Sequence, residues 1–368
     1  MKLLQTFYRV GIQRGPLTVA SFNWKWIRKY RICSAFWINT GGIQHQDNRI
    51  KMACQASASA DKCIAIEQKT VEVCRLMGPE DANISGNVHG GVILKMIEQA
   101  GLIVSTRYCN VMRNANEKDF EPCVAGLVRV EKTDFVQPMY IGEVAELHAE
   151  ITHTAYHSME VQVKVWAEDI LKGTRRMTNE ATLWYVPVSM KTFGQVLSIP
   201  KIKYSSAEME AAGWERYHKQ KQARKMQGMG RTTSLSMEEI QQMKDINACI
   251  EEHTVPYAQS SLIHLAGVTD CNSANLVNGG VTMKLMDEVA GITAFKFCKT
   301  SVVTASMDAV NFHEPIQRGM IAISTDKFTL TLKKVFFLTL KQIAFLEHGT
   351  QCSMNCTPCM IVLPFHLE

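Results

Sequence analysis

Before Asp47 the chain has no acidic residue, although Lys2, Arg9, Arg14, Lys25, Arg28, Lys29 and Arg31 all fall there. Interleaved with Trp24, Trp26, Phe36 and Trp37, this basic leader (residues 1–60) has the composition of a mitochondrial transit segment and is set outside the fold. No apolar run reaches the roughly 20 residues that a membrane helix needs, so no membrane span is expected. The net charge is only +5, with no broad basic field, which argues against nucleic acid as a partner. Twelve cysteines follow no repeating spacing and no secretory signal precedes them, so reduced thiols in an intracellular protein are expected. Cys352, Cys356 and Cys359 lack a fourth ligand and the paired spacing of a zinc site, so no metal is expected.

What the chain does have is a repeat. GNVHGGVILKMIEQAG, from Gly86 to Gly101, returns as NLVNGGVTMKLMDEVAG from Asn275 to Gly291. Gly90, Gly91, Lys95, Glu98 and Cys109 match Gly279, Gly280, Lys284, Asp287 and Cys298 at a constant offset of 189. Downstream, DFVQPMYIG matches NFHEPIQRG at an offset of 177, so the first copy carries 12 extra residues, placed near the polar stretch 110–121 and read as a surface loop. With 46% hydrophobic residues over 368 positions, the chain is a globular tandem duplication.

Each copy opens on a β-type run, then a Gly/Asn loop, then a helix. In the first copy these are residues 70–76, the loop, and a helix over about 91–106, followed by strands near 123–130, 143–152, 159–166 and 181–186. Leu147, Ala149 and Ile151 alternate with Glu146, His148 and Glu150, which marks an antiparallel sheet with one covered face. The helix is apolar on nearly every side and should be buried nearly all round. A curved sheet wrapped around a central helix satisfies both patterns. A carboxylate, Glu98 or Asp287, then stands inside a buried helix, where an uncompensated charge is costly and so reads as functional. The plainer reading is an i,i+3 ion pair, Lys95 with Glu98 and Lys284 with Asp287.

DANISGNVHGG with KMIEQAG, and NGGVTMKLMDEVAG with SVVTASMDAVNFHEP, resemble the two-hotdog (tandem) acyl-CoA thioesterases, in particular their brain-type cytosolic branch. The resemblance implies an α+β fold of tandem hotdog domains and hydrolysis of long-chain fatty acyl-CoA to fatty acid and coenzyme A, in a homo-oligomer of hotdog pairs with no cofactor. It also implies a cytosolic location, against the mitochondrial address that the leader raises. By residue-for-residue carry-over the catalytic pair is Asn83 with Asp287, one from each copy. The mirror pair, Asn272 with Glu98, is the second candidate site, because asparagine stands in both copies. His89, Gly90, Gly91, Gly279 and Gly280 shape the sites, the glycines by presenting free N–H groups at a helix start. Asn278 stands where His89 stands in the first copy.

The expected domains are a first hotdog over 69–187, a charged helical linker over 188–252, and a second hotdog over 253–332. The second is read as incomplete, because similarity stops after KFTLTL and a divergent segment (333–368) follows. Two β-strands are then missing and a sheet edge is left open, so a catalytically impaired protein that binds acyl-CoA or pairs with full-length partners is the alternative. The linker's basic run, Arg216, Lys219, Lys221, Arg224 and Lys225, is expected to face water.

Overall fold

A computed structural model describes residues 69–114, 121–192, 194–229, 257, 259–332, 335–345, 351–354 and 359–364. The basic leader, and the side chains of Cys352, Cys356 and Cys359, lie outside the described residues.

The first copy comprises β1 (Thr70–Leu76), the helix α1 (Gly90–Asn114), β2 (Cys123–Val130), β3 (Thr133–Phe135), β4 (Val144–Thr154), β5 (Met159–Asp169) and β6 (Thr174–Ser189). A linker helix α2 (Ala207–Met229) follows. The second copy has β7 (Gln259–Leu265), the helix α3 (Gly279–Cys298), β8 (Val302–Met307), β9 (Val310–Asn311), β10 (Ile321–Leu332), β11 (Val335–Phe345), β12 (Gln351–Met354) and β13 (Cys359–Pro364). α1 ends at Asn114, five residues past the counterpart of Cys298, so part of the insertion read as loop is helical.

All strands join one antiparallel sheet in the order β1-β4-β5-β6-β3-β8-β13-β11-β10-β7, with β2 on β6. The alternation that marked β4 settles its faces: Ala145, Leu147, Ala149 and Ile151 are buried, whereas Glu146, His148 and Glu150 are half-buried on the other side. The two copies meet where β3 pairs with β8 and β2 with β9. Side chains fasten that seam: Ser306 donates to Asp134 at 2.6 Å, and buried Arg129 donates to Asn311 at 2.8 Å.

The strands that the sequence reading finds missing after Leu332 are present. β11 pairs with β10 along its length, and β13 lies between β11 and β8. The second copy therefore runs β7-β10-β11-β13-β8, as the first runs β1-β4-β5-β6-β2. The edge expected to stay open is paired.

Under the sheet the two central helices lie side by side. A Cβ on Gly91 would fall 2.9 Å from Lys284 Cα, and one on Gly280 would fall 2.9 Å from Lys95 Cα. Both distances are closer than real Cβ contacts, and both neighbours are backbone. The second glycine of each GG pair is therefore required by an antiparallel crossing of backbones, rather than by the approach of a substrate. Alanine normally stabilises a helix over glycine by about 1 kcal/mol. Here Gly91→Ala and Gly280→Ala should each destabilise by about 1–3 kcal/mol through overpacking. Gly291→Ala, where a Cβ meets nothing within 4 Å, should show the ordinary sign. Denaturant unfolding of the three variants checks this.

The linker helix is not simply a solvated face. Gly213 packs against His153, Trp214 stands edge-on to His153, and Arg216 clamps Glu160 at 2.7–3.0 Å. Glu160 is 1% exposed and also accepts from Thr152. Removing the guanidinium with Arg216→Ala would strand a buried carboxylate, at a cost of about 3 kcal/mol. A fall of that size in the unfolding free energy, read from urea titration, is the expected result.

Candidate active site

The loop before each central helix is built on an asparagine. Asn83 Oδ1 accepts from Ser85 N (2.9 Å) and Asn87 N (3.1 Å). Asn272 Oδ1 accepts from Ala274 N (2.9 Å) and Leu276 N (3.3 Å). The chain turns through positive φ at Gly86 (+83°) and at the matching Asn275 (+58°), a conformation that glycine and asparagine tolerate. Since each Oδ1 is committed to its loop, the asparagine can offer a ligand only its Nδ2 donor. Each loop is pinned by an aspartate: Asp81 is held by Arg75 at 2.7 Å, and Asp270 by His264 at 2.8 Å.

The helix crossing carries each carboxylate to the start of the other copy's helix. Asp287 Oδ2 accepts from Gly91 N at 2.5 Å and lies 2.8 Å from His89 Nδ1, while Thr304 Oγ1 donates to Oδ1. Glu98 receives the N–H of Gly280 in the same way. Asp287 is 2% exposed and Glu98 1%. Neither expected i,i+3 pair forms among the described residues; Lys284 reaches Glu288 at 3.4 Å instead. With Gly91 N and Gly280 N engaged by carboxylates, the Gly90 and Gly279 N–H groups are left without an acceptor among the described residues, and such groups can receive an oxyanion.

The two ends are not alike. Burial by itself would lower the His89 pKa, but the hydrogen bond and charge of Asp287, with the charge of Glu288, outweigh it and raise it. At the other end Asn278 replaces His89, and Leu127 takes the place of Thr304, its side chain lying against Gly279 as Thr304 lies against Gly90. Glu98 Oε2 is consequently buried with no hydrogen-bond partner. Burial pushes the Glu98 carboxyl up to about 7, although the Gly280 N–H and the Lys95 charge act the other way.

That shift has a stability consequence with a definite sign. A carboxyl raised from 4.5 to about 7 on folding favours the fold fully below pH 4.5, and the benefit is lost as pH rises through 7. The loss is about 3 kcal/mol. Between pH 5 and 8 the parent should therefore lose melting temperature relative to Glu98→Gln; parallel profiles would mean that Glu98 ionises freely.

Of the residues expected from the sequence, His89, Gly90 and Gly91 meet Asp287 at one end of the crossing, and Asn272, Gly279 and Gly280 lie with Glu98 at the other, while Asn83 holds the loop that leads into α1. Sequence reasoning missed Thr304 and Leu127. Their difference is visible only once the offset of 177 aligns SVVTASM with VAGLVRV.

The family model of the thioesterase superfamily matches residues 85–174 and 274–325. The cytosolic acyl coenzyme A thioester hydrolase of Rattus norvegicus is 50% identical over 285 residues, covering 76% of this chain and 70% of that protein. The chain belongs to the acyl-CoA thioester hydrolase family. The family's Homo sapiens cytosolic member is 51% identical over 260 residues, covering 71% of this chain and 64% of that protein. The chain thus spans about two thirds of these relatives' length. An oleoyl thioesterase (putative) from Lactobacillus plantarum has 9% identity and a TM-score of 0.48 over 81% of this chain and 97% of its own. Among the described residues no helix is long and apolar enough to cross a membrane.

Proposed function

We propose that this chain hydrolyses long-chain fatty acyl-CoA, of the palmitoyl-CoA type, to fatty acid and coenzyme A. The observation that carries the reading is the reception of Asp287 from the second copy on the first turn of α1, beside His89 and below the Asn83 loop. Family membership supplies the reaction class. In this reading the site is composite and neither copy holds it alone.

Asp287 acts as general base on a water, whose oxygen attacks the thioester carbonyl carbon. The oxyanion is met by the Gly90 N–H and by Asn83 Nδ2. The C–S bond then breaks, coenzyme A leaves as thiolate and takes the proton from Asp287, and the fatty acid is released. His89 and Thr304 orient the carboxylate through their hydrogen bonds. No step calls for a cofactor.

The units are proposed as a hotdog over 69–187, a linker over 188–252 and a second hotdog from 253 that includes β11 and β13. The names of the relatives support a cytosolic location, and assembly as a homo-oligomer of hotdog pairs belongs to the same reading. The catalytically impaired alternative loses its basis in a truncated second sheet. Release of coenzyme A from palmitoyl-CoA by the purified chain tests the proposal; no release above the uncatalysed rate would reject it.

A further inference from the structure

The mirror end of the helix crossing opens on a cavity of about 330 Å³, lined by Glu98, Asn272, Asn278 and Gly279. Its walls are apolar: Leu127, Val186, Val188, Val196, Phe312 and Ile316. Two buried oxygens in this lining, Glu98 Oε2 and Asn278 Oδ1, have no hydrogen-bond partner. An unpaired buried carboxyl oxygen and amide oxygen are each costly, and a ligand able to donate hydrogen bonds would relieve both. The Gly279 N–H and Asn272 Nδ2 supply donors on the same cavity. A base without a partner, two donors and an apolar wall are what a thioester with a fatty acyl chain would need.

We infer that this cavity is a second thioester-hydrolysing site, with Glu98 as its general base, Gly279 N–H and Asn272 Nδ2 as oxyanion donors, and the valine-rich wall as its acyl slot. The inference rests on the fatty acyl-CoA reading above. A water bonded to Glu98 Oε2 gives that oxygen its proton while attacking the carbonyl carbon. The tetrahedral oxyanion collapses, the C–S bond breaks, and the departing thiolate of coenzyme A recovers the proton, leaving Glu98 ionised and a fatty acid in the slot. Leu127, in the position of Thr304, leaves the base without the hydroxyl donor that Asp287 has.

The groups facing Glu98 are Lys95 on its own helix, Tyr185 of β6, whose hydroxyl donates to the Glu98 carbonyl, and the Gly280 N–H. His313 and Glu314 line the same cavity beyond β9. A base held near pH 7 by burial works only when ionised, so activity from this site should climb through neutrality.

The test uses the full chain and palmitoyl-CoA, with released coenzyme A measured from pH 5.5 to 8.5. Asp287→Asn should retain a measurable fraction of the parental rate, rising through about pH 7. Adding Glu98→Gln should lower that residue by about 100-fold. Val196→Trp at the cavity mouth, also in the Asp287→Asn background, should lower it without touching the buried carboxyl. A residual rate indifferent to both changes, or none at all in Asp287→Asn, overturns the second site while the parent remains active. An inactive parent overturns the hydrolase reading itself, and this inference with it.

Discussion

Ending the chain after Leu332 is expected to abolish a soluble, discretely sized product. The cut removes β11, which lies along β10, and β13, which bridges β11 to β8. Two inner strands would become open edges at once, and α3 would lose part of the sheet that covers Met283, Met286 and Val289, all fully buried. Exposed edges of that kind associate with one another. Size-exclusion chromatography should show heterogeneous aggregates, and thermal scans no cooperative transition. A single species melting within a few degrees of the parent would show that the last three strands are dispensable.

The second large effect is catalytic. Asp287→Asn keeps the size of the side chain but removes the base, and loss of a positioned general base lowers turnover by about 10²–10⁴ at the site concerned. The whole chain should fall to the rate that the Glu98 site sustains. Its fold should survive, because the amide oxygen can still accept from Gly91 N while the amide nitrogen takes the other position and donates to the Thr304 hydroxyl, which can accept as well as donate. Near-parental turnover at an unchanged melting temperature would remove Asp287 from the reaction.

Much of this was legible in the sequence because the duplication supplied its own control. A carboxylate in a helix is ambiguous once; placed twice, each time eight residues beyond the first glycine of a matching GG pair, it marks a buried position. The alternation in 144–151 gave the sheet face, and the strand bounds 70–76 and 123–130 were readable from β-type composition bounded by loop residues. The GG pair was legible as a device, but its physical cause was not. Only the crossing of α1 and α3 shows that Gly91 and Gly280 admit backbone, since an antiparallel helix contact leaves no periodic mark on either copy. VFFLTLKQIAF was hard to assign because it does not repeat the sequence of the first copy's β5, while pairing along β10 depends on register rather than on residue identity. The inequality of the two ends was equally hidden, because Thr304 and Leu127 become counterparts only after the insertion in the first copy is counted.

The central claim, a site shared between the copies, is tested most directly by coenzyme A release from palmitoyl-CoA by Asn83→Asp, Asp287→Asn and the double variant. Asn83→Asp retains the Oδ1 acceptor that holds its loop, removes the Nδ2 donor and adds a carboxylate charge in its place. Groups that act as one unit are not additive. Each single variant should fall to the same low rate, and the double should be no lower. Losses that multiply in the double variant, or a near-parental rate in either single one, would contradict a shared site.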